Sequence, residues 1–149
     1  MRGVILAIGL VASSTWVMAD EVKCLAKNIY FEARNQSIQG MYAVADVTLN
    51  RVKDSRWPST VCEVVKQRRE GVCQFSWYCD GKSDEVKDKE SYKKILDFAR
   101  LMMHNEIRFV DITDGATHYH ADYVSPSWAK TKTRTTEIGD HIFYRWEKR

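Results

Sequence analysis

The chain has 149 residues, 44% of them hydrophobic and 29% charged, with 23 Lys or Arg against 20 Asp or Glu and a formal net charge of +3. That composition is globular and excludes disorder, a collagen-like chain and a multi-span membrane protein, while the length fits one domain. A charge of +3 is too small for a phosphate-tracking nucleic-acid binder, which clusters many cations on one face, although it suits a long anionic polymer as partner.

The first element is read as a targeting segment. Arg2 supplies a positive start, Val4 to Val11 an apolar run, and Val17-Met18-Ala19 small residues at a signal-peptidase site. Cleavage after Ala19 would leave residues 20–149 as the mature domain, secreted or periplasmic. An uncleaved membrane anchor and a buried first helix are the alternatives; the apolar run is short for a span of about 20 residues. In an exported domain, Cys24, Cys62, Cys73 and Cys79 read as two disulfides. Of three pairings the reading leans to Cys73–Cys79, closing a tight hairpin, with Cys24–Cys62 joining two helices; a zinc site is the runner-up, without CxxC spacing.

Val22, Leu25, Ala26, Ile29, Tyr30 and Ala33 follow helical spacing and predict an amphipathic helix. Ser37 is a candidate N-cap for a second helix carrying Met41, Val44, Ala45, Thr48, Leu49 and Val52. Trp57-Pro58 ends that stretch, and Thr60-Val61-Cys62-Glu63 matches a capping box opening a short third helix. Residues 71–81 read as a strand or hairpin around Gln74-Phe75-Ser76-Trp77-Tyr78, stopped by Asp80-Gly81. A helix with Tyr92, Ile95, Leu96, Ala99 and Met103 follows, its alternating charges marking a solvated face. Thr117 to Val124 and His141 to Trp146 are candidate strands. The expected class is α+β, mostly helical, with a small antiparallel sheet or hairpin.

Three places can carry chemistry. Glu32 lies about 90° from the centre of the first apolar stripe. A carboxyl at that edge can be half desolvated, and desolvation raises its pKa, which suits a general acid. Spacing alone favours an ordinary surface glutamate paired with a base. His118, His120 and Asp122 would share one face of a strand, where they could bind metal or line a polar groove. Tyr119, Tyr123 and Trp128 beside them suit core packing first and carbohydrate stacking second. Gln74 and Ser76 would face a cleft while Phe75 and Trp77 face the core, a pattern an ordinary hairpin also satisfies.

Several motifs occur in one order: Asn28-Ile29-Tyr30-Phe31-Glu32-Ala33-Arg34, Leu49-Asn50-Arg51-Val52, Trp57-Pro58-Ser59-Thr60-Val61-Cys62, Cys73-Gln74-Phe75-Ser76, Cys79-Asp80-Gly81, Ala116-Thr117-His118-Tyr119-His120, Pro126-Ser127-Trp128 and Ile138-Gly139-Asp140-His141-Ile142-Phe143-Tyr144. Together they resemble the SleB/CwlJ-type cell wall hydrolases over essentially the whole mature chain. The resemblance implies a lysozyme-like fold, peptidoglycan glycan strands as partner, and cleavage of the β-1,4 bond between N-acetylmuramic acid and N-acetylglucosamine. It implies Glu32 as catalytic acid, reversing the odds set by spacing, and a lytic transglycosylase mechanism that needs one carboxyl where hydrolysis commonly needs two. Gln74, Ser76, His118, Tyr119, His120 and Trp128 are the expected groove residues, with no cofactor, a monomer, and membrane contact only through an uncleaved N-terminus. Many relatives carry a second acid where this chain has Gln36; Asp46, Asp80 and Asp122 remain as other second acids. The rivals are a muramidase, a metal-dependent amidase using His118, His120 and Asp122, and a non-catalytic peptidoglycan-binding module.

Overall fold

A computed structural model describes residues 12–104 and 110–147, with side chains from Trp16 onward. The described helices are α1 (Ala12–Ala33), α2 (Ile38–Lys53), α3 (Val61–Lys66) and α4 (Lys89–Met103). The predicted stripe of α1 is its core face: Leu25, Ala26 and Ile29 are wholly buried, and Tyr30 and Ala33 nearly so. Burying each Leu or Ile contributes about 2 kcal/mol, so packing rather than helix propensity holds α1. The helix is the hub of the domain, touching α2, α3 and α4. From α4 it receives Ile95, Ala99 and Met102; Met103, the expected contact, is only half-buried.

The caps act as the spacing predicted. Ser37 Oγ accepts from Gly40 N at 3.2 Å at the start of α2. Thr60 Oγ1 accepts from Glu63 N at 3.3 Å and donates to Glu63 Oε2 at 2.9 Å. The start of α3 has a second acceptor, the Glu21 carboxylate, which takes Val61 N at 2.6 Å. Cys24–Cys62 bonds α1 to α3 and Cys73–Cys79 closes a short loop, so no cysteine is left to hold zinc.

Residues 74–78 are not the expected strand. The hairpin lies just before them, β1 (Arg68–Arg69) paired with β2 (Val72–Cys73), and Ser76–Cys79 form a turn of 3-10 helix. The disulfide is the reason. An extended strand of this length would span about 20 Å, whereas the Cα atoms of Cys73 and Cys79 are 6.2 Å apart. The strand is absent, but Phe75 is buried in the core and Trp77 packs against it as expected, while Gln74 is half-buried and Ser76 exposed.

The second sheet has the order β3-β5-β4, all antiparallel, from β3 (His118–Ala121), β4 (Thr133–Ile138) and β5 (His141–Arg145). The strand expected over Thr117–Val124 stops early, because the chain turns at Asp122, whose N–H bonds Asp140 O at 2.9 Å. Phe143 and Ala116 pack on Ala43 and Val47, which seats this sheet against α2. Its β4–β5 turn also reaches the connection between α1 and α2. Gln36 Nε2 donates to Asp140 Oδ2 at 3.0 Å, and Gly139 beside it takes a left-handed φ of 57°, a conformation that favours glycine. A 3-10 helix at Ser127–Thr131 carries Trp128.

At the N-terminus, α1 runs unbroken through Ala19 and Asp20, with Trp16, Val17 and Met18 exposed rather than buried. The apolar run Val4–Val11 lies outside the described residues. Among the described residues no helix is long and apolar enough to cross a membrane.

Candidate active site

Glu32 sits one residue before the end of α1, half-buried, within reach of Tyr119 on β3. Its carboxylate accepts a 2.7 Å hydrogen bond from Tyr119 Oη, a residue 87 positions away in sequence. Tyr119 is aimed by strand pairing: it stands opposite Phe143 in β5, their rings 5.6 Å apart, with the His141 ring edge-on at 5.1 Å. Burial pushes the Glu32 pKa up; the Tyr119 hydrogen bond and the Arg51 charge pull against it. Burial, then the facing Glu32, raises the Tyr119 phenol well above its ordinary value, so it remains a donor. The site therefore holds a carboxyl that keeps its proton to higher pH than a free glutamate does, beside a phenol that stays protonated.

Arg51 supplies the positive charge. It is buried on α2, its guanidinium 4.4 Å from the Trp57 ring centre and 4.8 Å from that of Phe75. Nε donates to Thr117 O at 2.7 Å, and Nη1 makes no hydrogen bond to the described residues. Burial lowers its pKa to about 10, with Tyr119 and Glu32 opposing, which leaves it charged at neutral pH. One turn before Glu32, buried Asn28 donates to Thr48 Oγ1 at 3.1 Å and accepts from Trp77 Nε1 at 2.9 Å. That bond holds the Trp77 ring against Phe31, with centroids 4.6 Å apart and planes at 18°. The sequence reading passed over Asn28, Arg51 and Trp77. For Asn28 and Arg51 the available signal was their presence in the motifs, and for Asn28 also its place four positions before Glu32 on the same helix face; Trp77, read only as core-facing, lies outside those motifs.

The expected groove residues divide between two faces. Tyr119 faces Glu32, while His118 and His120 point to the other side of β3, where both lie against Trp128 at 5.3 and 5.6 Å. Trp57 and Trp146 complete that second cluster around His118, at 5.5 and 6.0 Å. Burial, then the nearby cations led by Arg51, lowers the His118 pKa to about 3, so its imidazole is neutral. His120 Nδ1 faces Ala121 O at 2.8 Å and so carries hydrogen; in the neutral ring Nε2 accepts from Tyr144 Oη at 3.0 Å. Asp122 is exposed in the turn beyond β3 and does not share their face. Among the described residues no three His, Cys, Asp or Glu side chains come together to hold a metal. Gln74 and Ser76 belong to the disulfide loop, and neither side chain hydrogen-bonds within the described residues.

The other second-acid positions are committed elsewhere. Asp46 accepts from Ile112 N at 2.9 Å and faces Asp111, and Asp80 pairs with Lys82 at 3.8 Å. Gln36, the neutral residue four positions after Glu32, clasps Asp140.

Comparison with known proteins gives the family. The cell wall hydrolase family model matches residues 35–144, starting just past Glu32. The chain is 30% identical over 125 residues to a spore cortex-lytic enzyme of Bacillus cereus, covering 83% of this chain and 44% of that one. It is 26% identical to that of Bacillus subtilis strain 168, covering 83% and 37%. The chain thus spans less than half the length of these curated relatives. The catalytic domain of the Bacillus cereus SleB protein superposes with a TM-score of 0.64 at 29% identity, over 85% of this chain and 90% of that one. The catalytic domain of the germination-specific lytic transglycosylase SleB from Bacillus anthracis gives 0.65 at 27% identity, over 94% and 100%. A lysozyme-like fold shared with those catalytic domains, and a family match across most of its length, mean that this chain belongs to the cell wall hydrolases, of the SleB type.

Proposed function

We propose that the chain cleaves peptidoglycan at the β-1,4 bond between N-acetylmuramic acid and N-acetylglucosamine, as a lytic transglycosylase whose one catalytic carboxyl is Glu32. The observation that carries this reading is the half-buried carboxyl with a raised pKa, bonded to a phenol. Glu32 gives its proton to the bridging oxygen as the bond from that oxygen to the muramic C1 breaks. The new carboxylate then takes the proton of the muramic C6 hydroxyl, whose oxygen closes onto C1. The anhydro ring forms without water, and Glu32 ends protonated. Tyr119 and Arg51 act on the intermediate stage, when the carboxylate is charged: one donates a hydrogen bond, the other a nearby positive charge. The neutral Gln36 supports a one-carboxyl scheme, since hydrolysis with inversion needs a second carboxylate to activate water.

The two disulfides fit an oxidising compartment, and with the N-terminal targeting pattern they support export to the periplasm or beyond. Glu32→Gln keeps the size of the side chain and removes its proton. The expected result on purified sacculi is a loss of at least about 10²-fold in rate, with the circular-dichroism spectrum unchanged. Mass spectrometry of the wild-type digest should give products lighter by one water than the reducing ones. Wild-type turnover by the Gln variant would remove Glu32 from the mechanism, and reducing ends alone would make the enzyme a muramidase.

A further inference from the structure

A cleft of about 440 Å³ opens beside the Glu32 terminus of α1, and the one-acid mechanism makes no use of it. One wall is aromatic: Phe31, the residue before Glu32, stacked on Trp77. The other is the segment following the disulfide loop, fixed at both ends. Cys73–Cys79 holds its start, and Tyr30 Oη accepts Asp88 N at 3.0 Å at its finish. The rim bears both signs of charge. Lys82 and Asp80 pair with each other at 3.8 Å. Arg34 and Lys87 of one sign, and Asp84 and Glu85 of the other, line the cleft without an ion pair among the described residues.

Arg34, just past the end of α1, lies 4.8 Å over the Tyr30 ring, and Lys87 shares one segment with Asp84 and Glu85; these rim charges of both signs match neither a neutral sugar nor a simple anion. They match a ligand that carries carboxylate and ammonium groups together. Resting on the reading that the substrate is peptidoglycan, we infer that this cleft binds the stem peptide attached to the muramic residue. The glycan is uncharged, whereas that peptide carries carboxylates and, on its dibasic residue, a free amine. Its short side chains would lie on the Phe31–Trp77 wall. Because the wall adjoins Glu32, a peptide seated there helps position the neighbouring linkage at the acid. The chain would accordingly prefer peptide-bearing strands over strands stripped of peptide.

The test compares kcat/KM on soluble peptide-bearing strands and on the same strands after amidase treatment, for wild type and for the Arg34→Gln/Glu85→Gln double variant. Both residues lie at the surface or rim, so the fold is expected to survive. Calorimetric titration with free stem peptide runs beside it. The expected outcome is a preference of roughly tenfold or more in wild type, equivalent to one decade of affinity, falling towards one in the variant, with peptide binding weakened in parallel. An equal ratio in both proteins, or no binding of free peptide, overturns the inference while leaving Glu32 chemistry intact. Binding of the peptide with no cleavage of either strand has the opposite meaning: the cleft stands and the proposed activity falls.

Discussion

Tyr119 and burial act on Glu32 in opposite directions. Burial raises the carboxyl pKa, and the 2.7 Å hydrogen bond from Tyr119 lowers it by favouring the charged form. In Tyr119→Phe the lowering contribution is gone and the pKa rises further. If the rate needs protonated Glu32, the alkaline limb of the pH–rate profile should move to higher pH, while the maximum rate falls by about tenfold, the equivalent of one hydrogen bond. A limb that stays fixed or moves down would mean that Glu32 is not the titrating acid. Asp46 is a second buried carboxyl, raised to about 7 by burial first and then by Asp111, with the Ile112 N–H and, less, Lys53 opposing. The proton sits on Asp46 because Asp111, although burial works against its charge, is held low by Thr113, Asn50 and Gly115. A native pKa above the unfolded one means that the native state binds the extra proton. Wild-type stability therefore declines as pH rises from the ordinary value of 3.8 to about 7. Asp46→Asn can accept from Ile112 N and donate to Asp111 at every pH. Its melting temperature relative to wild type should climb across that window and level off above it.

At the scale of elements, helices and caps were legible because each is a local property. Ser37 and Thr60 cap within three residues, and the α1 stripe repeats every turn. Strand β4, Thr-Arg-Thr-Thr-Glu-Ile, was not legible: it lies at the sheet edge, half its residues exposed and the rest only partly buried, and shows no apolar alternation. The segment 74–79 misled for another reason, since a crosslink overrode its strand-like pattern. Glu32 could be named from its motif, and Tyr119 from another, but their contact is tertiary and has no sequence period. The division of His118 and His120 from Tyr119 did follow from two-residue alternation; what lay beyond reading was which face met α1. The Gln36–Asp140 clasp explains locally why an acid is absent there. A carboxylate at position 36 would face the one on Asp140.

Across the whole molecule, the two crosslinks have unequal leverage. Cys24–Cys62 closes a separation of 38 residues and Cys73–Cys79 one of 6. Loop-closure entropy gives about 4 kcal/mol for the first and about 2 kcal/mol for the second. Replacing Cys24 and Cys62 by Ser should lower the urea midpoint about twice as far as replacing Cys73 and Cys79. Equal effects would place the stabilisation in native contacts instead. The smaller pair should still matter more for turnover, because its loop carries Trp77 beside the acid.

The four-residue length of β3 has a wider consequence. Neighbouring residues on so short a ribbon look in opposite directions, one to the acid and the next to a nest of indoles. Were it to dock one position out of step, an imidazole would replace the phenol at the acid, with the helical scaffold and both sulfur crosslinks undisturbed. Refolded preparations can thus contain a compact but silent isomer, which far-ultraviolet spectra and thiol titration would count as native and only a cell-wall assay would expose.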